Sequence, residues 1–295
     1  MADERSTAAG SVRRGGTAEP PLRRLIEARL DRLVAENRFT IAVVFPLVGA
    51  VLLLASAEGL LPPPLAFNPL LILGGVFVMR LPLGAGLAPL VDRRAALGLV
   101  GLSAYAYAIE LVGVATGWPY GFFEYTVALG PMLAGVPLGL PVFFLPLVLN
   151  SYLLATLLLG PVASRRAVRL VATLATVLAL DLVLDPGAVA IGFWTYGGGA
   201  YYGVPLSNYF GWALSATVSV VVLDLAFDFE ALCARLRECA FALDDLVSFV
   251  VLWGLLDAVY ANWVPVLLAL ALAGGLVRAD RFDFAVGRTV PGLGR

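Results

Sequence analysis

Residues 167–187 read AVRLVATLATVLALDLVLDPG, an apolar run interrupted only by Arg169, Asp181 and Asp185. Roughly twenty such residues, rising about 1.5 Å each, match the ~30 Å hydrocarbon core of a bilayer. The short alternating segments of a membrane barrel are missing from this stretch and its neighbours. It therefore reads as a spanning helix, and the fold depends on how many more there are. With 60% hydrophobic and 14% charged residues, the chain lacks the polar skin of a soluble domain. Further apolar windows lie near 40–59, 68–90, 95–115, 132–160, 206–227, 243–260 and 263–278, the window above ending near 185. The predicted fold is an all-α, polytopic transmembrane bundle of about eight helices, or seven if the last two windows form one broken hairpin.

The basic residues orient the bundle. The sequence contains no Lys and no His, and its 20 basic residues are all Arg. They cluster at 5–38, at Arg93 and Arg94, at Arg165, Arg166 and Arg169, at Arg235 and Arg237, and from Arg278 onward. Arg80 alone falls deep inside a window. Across eight passes these clusters share one side, which the positive-inside rule makes cytoplasmic, with both termini. The Arg-free loops near 60–67, 116–131, 186–205 and 261–262 then face outward. The protein is expected in the cell membrane.

Outside the spans there is less to read. Residues 1–21, rich in Ala, Gly, Ser and Arg, read as a disordered tail. Residues 22–38, LRRLIEARLDRLVAENR, gather Leu22, Leu25, Ile26, Leu33 and Val34 on one helical side, as in a surface-lying amphipathic helix. Residues 39–280 form the transmembrane domain, and 281–295 a C-terminal tail. No signal-peptide pattern precedes the first apolar run. Cys233 and Cys239, in a cytoplasmic loop without other metal ligands, read as structural or incidental.

A weak internal repeat marks the outward side. Glu110 precedes Gly117 by the interval that separates Asp185 from Gly192; these glycines open GWPYG and GFWTYG, and each half then reaches a GVPL, at 135–138 and 203–206. One reading is a duplicated helix–loop–helix unit about an axis along the membrane normal. The other is that Gly and aromatic residues simply recur at membrane interfaces.

Four acids converge on this side: Glu110 in YAYAIELVG, Glu124 in GWPYGFFEYT, and Asp181 and Asp185, which are i, i+4 and point the same way. A carboxylate at membrane depth costs about 3 kcal/mol, so it turns inward and finds a partner or a proton. Arg80 is a candidate partner, although it sits nearer mid-membrane than the loops. Neighbouring acids without a cation share a proton, which supplies an acid and a base together. The plain alternative is that these acids cap helices or bond Tyr and Trp: Asp185 precedes Pro186, and Glu124 simply meets water. Trp118, Tyr120, Tyr125, Trp194, Tyr196, Tyr201 and Tyr202 likewise suit an interfacial belt. A belt does not explain Gly197, Gly198 and Gly199 in a row, which suggest a tightly folded loop tucked back into the bundle, or backbone beside a ligand.

These motifs, GWPYGFFEYT, ALGP and GVPL followed by DLVLDP, GFWTYGG, YYGVPLSNY and GW, resemble the membrane carotenoid hydratase family, most specifically between Ala104 and Trp212. The resemblance implies cofactor-free addition of water to the terminal trisubstituted alkenes of an acyclic C50 carotenoid, the last step towards bacterioruberin. Such chemistry needs an acid to protonate the alkene, surroundings that stabilise a tertiary cation, and a placed water. Asp181 or Asp185 is the expected proton donor, and Glu110 and Glu124 orient water or take its proton. Asn208 and the tyrosines hold the hydrogen-bond network, and the rings, Trp212 included, face the substrate. Expected partners are the C50 carotenoid, water, membrane lipid and other enzymes of the carotenoid pathway; no metal and no nucleic acid are expected. Two rival classes remain. DLVLD has the D-x-x-x-D spacing of a prenyltransferase or carotenoid elongase holding Mg²⁺ and a diphosphate, and intramembrane acids also suit a carotenoid-binding or transport protein.

Overall fold

The computed structural model describes residues 22–284, so the tail expected over 1–21 and most of the one expected after 281 lie outside the described residues. Helix α1 (Leu22–Phe39) passes through a π-helical segment, Thr40–Val44, straight into α2 (Phe45–Ala57). The chain continues with α3 (Pro69–Leu87), α4 (Arg93–Thr116), α5 (Leu140–Leu159), α6 (Arg166–Ala190) and α7 (Leu206–Ala226). A short polar α8 (Phe229–Glu238) precedes α9 (Asp244–Val259) and α10 (Trp263–Arg278). Among the described residues six helical rods, α1 with α2 counted as one, are long and apolar enough to cross a membrane. Helices α9 and α10, 16 residues each, form a shorter hairpin. This is the expected helical membrane bundle.

Its helices start and pack for local reasons. Asn68 caps α3 by accepting from the amides of Leu70 and Leu71, and Asp92 caps α4 through Ala95 N at 2.8 Å. In lipid, apolar burial gives helices little reason to associate, so close contact at small residues matters more. Gly98 of α4 meets Ala226 of α7 so tightly that a Cβ there would lie 2.5 Å from the alanine methyl, and Gly254 meets Ala269 across the α9–α10 hairpin. The arginine clusters collect at one end, where Arg38 pairs with Asp244, Arg169 with Asp224 and Arg235 with Asp31. Cys233 and Cys239, also at this end, are free, and burial pushes both thiols up, away from the reactive thiolate. Residues 281–284 pack here as well: Arg281 bonds the carbonyls of Cys239 and Leu236, and Phe284 sits against Phe39.

Three expected boundaries move. The window at 132–160 does not begin as helix: strands β2 (Met132–Leu133) and β3 (Val136–Pro137) form a small hairpin before α5. Helix α6 does not stop at Pro186 but runs to Ala190. A proline removes the amide that would bond the carbonyl four residues earlier. At Pro186 that carbonyl is Leu182 O, and the Tyr201 hydroxyl donates to it at 3.1 Å. The same compensation occurs in α5, where Pro146 frees Val142 O and Arg80 Nε donates at 3.3 Å. Finally, the surface helix over 22–38 and the first span are not separate elements but one rod with a local break at Asn37 (φ −119°, ψ 16°).

At the opposite end, the loops after α4 and α6 pair with each other. Strand β1 (Phe123–Tyr125) lies antiparallel to β4 (Trp194–Tyr196), with Phe123 opposite Tyr196 and Tyr125 opposite Trp194. The repeated sequence has a repeated shape. Gly117 and Gly192, which follow α4 and α6, have φ of +74° and +71°. Each GVPL then sits on a tight two-residue turn with both central residues left-handed: Ala134 and Gly135 (φ +49°, +84°), Tyr202 and Gly203 (φ +51°, +86°). That is the primed hairpin turn, which favours Gly at its second position. The duplicated-unit reading thus has a backbone counterpart.

Candidate active site

Beneath the β1–β4 ladder lies a chamber of about 110 Å³. Helix α4 contributes Glu110, α6 Asp185, α7 Asn208 and Trp212, and α5 Phe144. The strands turn Phe123, Tyr125, Trp194 and Tyr196 into it, and Tyr120 and Trp253 close its sides. The two carboxyl groups therefore reach the chamber from different helices.

Their partners are neutral. Asp181 and Asp185, one turn apart on α6, are both buried and share one amide: Asn208 Nδ2 donates to Asp181 Oδ2 at 2.9 Å and to Asp185 Oδ2 at 2.5 Å. The Tyr196 hydroxyl lies 3.1 Å from Asp185 Oδ2 and 3.1 Å from Asn208 Oδ1, so its single hydrogen serves one of them. Asp181 sits behind Asn208 and does not line the chamber. Glu110 accepts from the Tyr125 hydroxyl. No Arg lines the chamber. Trp194 Nε1 is buried without an acceptor among the described residues.

The walls are aromatic. Phe144 and Trp212 stack at 5.6 Å with planes 18° apart, and Phe123 packs edge-on to Tyr125 at 5.8 Å. Tyr120 stands between Trp212 and Phe123, its hydroxyl 2.6 Å from Ser215 Oγ. Gly211 makes this placement possible, because a Cβ there would come within 2.3 Å of the Tyr120 ring. Gly199 answers the question of the glycine run: a Cβ would lie 2.1 Å from the Val204 carbonyl carbon, so the loop folds on its own backbone.

Several expected site residues lie elsewhere. Glu124 does not join the other acids: a strand alternates its faces, so with Phe123 and Tyr125 turned in, Glu124 is exposed. Trp118 is 59% exposed and outside the chamber. Tyr201 is taken up by Leu182 O and packs on Tyr209, while the Tyr202 hydroxyl accepts from Val264 N; neither lines the chamber. Arg80 pairs with none of the four acids but with Asp245, which Asn150 also bonds at 2.6 Å. Sequence reasoning missed Phe144, Trp253 and Ser215, since an aromatic or Ser in an apolar helix carries no distinguishing mark, and Phe123, whose three-residue strand is too short to show which side faces in. The i, i+4 spacing of Asp181 and Asp185 and the repeat interval of Glu110 were the usable signals.

Asn208 occupies the space between the two aspartates, and among the described residues no three acids, cysteines or histidines come together as a metal-holding group.

Comparison with known proteins adds a direct line. The family model described as "Carotenoid biosynthesis protein" matches residues 67–276. A bisanhydrobacterioruberin hydratase from Haloarcula japonica is 66% identical over 263 residues, covering 89% of this chain and 90% of the relative. No solved structure matches.

Proposed function

This chain belongs to the carotenoid biosynthesis protein family, and we propose that it is a hydro-lyase, a carotenoid hydratase that adds water to the terminal C=C bonds of bisanhydrobacterioruberin to give bacterioruberin. The observation that carries the reading is the pair of carboxyl groups, Asp185 and Glu110, entering one aromatic-walled chamber with only neutral partners.

Hydration begins with transfer of a proton from Asp185 to the less substituted alkene carbon, which leaves the positive charge on the tertiary carbon. Asn208 and Tyr196 fix the Oδ2 side of Asp185, so Oδ1 is the oxygen free to donate. The faces of Phe123, Trp212 and Tyr125 stabilise the cation, each by about 2 kcal/mol when desolvated, without supplying a nucleophile that traps it. Glu110, held by Tyr125, orients the incoming water and takes its proton as the C–O bond forms. One proton leaves Asp185 and one arrives at Glu110, so return of a proton through water resets the pair. Asp181 backs Asp185 through the shared amide of Asn208. The scheme uses no cofactor.

The hydratase unit spans residues 39–280 and works as a multi-pass protein of the cell membrane, with lipid around it and other carotenoid-pathway enzymes as neighbours. Its arginine-bearing end, with both termini, is cytoplasmic under the positive-inside rule, which puts the chamber near the outer surface. The test is to incubate membranes containing the full chain with bisanhydrobacterioruberin in isotopically labelled water. A mass gain of one, then two, labelled waters is expected. Recovery of unchanged substrate would reject the reading, and magnesium-dependent consumption of an allylic diphosphate would reassign the chain to carotenoid elongation.

A further inference from the structure

A second cavity of about 170 Å³ adjoins the chamber, between α2, α3, α5 and α9. Phe143, Leu147, Leu184, Phe193 and Trp253 line both, so they form the partition. The remainder of the second cavity is almost wholly apolar. At its polar end Arg80 and Asn150 are tied to the buried Asp245. On its other flank Leu52, Leu65 and Leu71 belong to the lining yet are 41%, 49% and 52% exposed, so this side opens between α2 and α3 onto the surface that meets lipid.

The chamber alone cannot hold a carotenoid. A cavity of ~150 Å³ admits a benzene-sized ligand, so about 110 Å³ takes the reacting end and a water, not the chain behind them. We infer that the second cavity is the slot for the part of the conjugated chain next to the reacting end, entered sideways from lipid between α2 and α3, where the rest of the chain stays, and joined to the chamber past Phe143, Phe193 and Trp253. The inference rests on the hydratase reading of the chamber. Three features support it. An apolar rod gains nothing by displacing a buried ion pair, so the Arg80–Asp245 floor turns the chain towards lipid rather than across the bundle. The partition is largely aromatic, which suits the flat face of a polyene. Gly75 leaves the wall of α3 open, since a Cβ there would meet no atom within 4 Å.

Filling the slot tests this. In Gly75→Phe, and separately in Ile72→Trp, hydration of the C50 carotenoid should fall about tenfold or more. Hydration of 2-methyl-2-butene, the smallest alkene with the same trisubstituted end and too short to reach the slot, should stay within about twofold. In parallel, the C50 carotenoid should bind the full-length Asp185→Asn variant with a shift of its absorption bands, and adding Gly75→Phe should abolish that shift. The slot is refuted if both fillers leave C50 turnover intact, if they reduce turnover of the long and short alkenes equally, or if band-shifting binding survives Gly75→Phe. Should the unmodified chain hydrate neither alkene while Asp185→Asn still binds the polyene in a Gly75-dependent way, the slot stands and the hydratase reading falls.

Discussion

The two ends of the bundle treat acids in opposite ways. At and below the arginine-bearing end, Asp31, Asp224, Asp244 and Asp245 each meet an Arg within 2.9 Å or less. At the aromatic end, Glu110, Asp181, Asp185 and Asp257 bond only Tyr and Asn groups. A carboxylate fixed against a guanidinium serves as a structural tie, because removing either partner leaves the other charge unpaired. One held by an amide or a phenol can lose and regain a proton without leaving an unpaired cation in a low-dielectric interior. The same residue type is thus tied to a cation at one end and to neutral groups at the other.

Replacement of single acids tests this division. The largest effect is expected for Asp185→Asn, which should lower hydration about 10³-fold while leaving the amount of folded protein in membranes unchanged. A comparable loss of folded protein would place Asp185 among the structural acids. Next come Arg80→Met or Asp245→Leu, each leaving a buried charge alone and costing about 3–5 kcal/mol of stability, read as a lowered midpoint of thermal aggregation in detergent. The double replacement should recover most of that loss of stability. Glu110→Gln should reduce turnover about 10²-fold, and Tyr125→Phe less, with unfolding midpoints close to that of the parent chain. The smallest effect belongs to Glu124→Gln, predicted within about 0.5 kcal/mol in stability and indistinguishable in turnover, as for an exposed side chain away from special features. Strong inactivation by Glu124→Gln would overturn the chamber as drawn.

How much of this the sequence disclosed depends on the length of the signal. Long apolar runs and one-sided arginines gave the bundle and its polarity, because both patterns persist over many residues. Acids inside such runs are conspicuous, so Glu110, Asp181 and Asp185 could be found without coordinates. Glu124 could not be placed, because a three-residue strand offers no period from which to tell inward from outward. The Met132–Pro137 hairpin is apolar enough to pass for the start of α5, although the glycine of its GVPL marks the turn. Pro186 misled for a different reason: the helix continues because Tyr201, fifteen positions downstream, supplies the hydrogen bond that proline removes. Such repair across a loop leaves no local trace.

The matched turns carry one more implication. If the units around α4–α5 and α6–α7 are superimposed on their shared intervals, Ala106 takes the place of Asp181, Leu140 that of Asn208, and Phe144 that of its stacking partner Trp212. Asp181 stands behind Asn208, so the difference that reaches the hollow is Leu140 and Phe144 on one flank against Asn208 and Trp212 on the other, while Glu110 and Asp185 hold matching places. Duplication thus leaves two acids at equivalent stations with unlike neighbours: Glu110 meets a lone phenol, whereas Asp185 is tethered through one amide to a second carboxyl group, and symmetry is broken by a single leucine-to-asparagine difference.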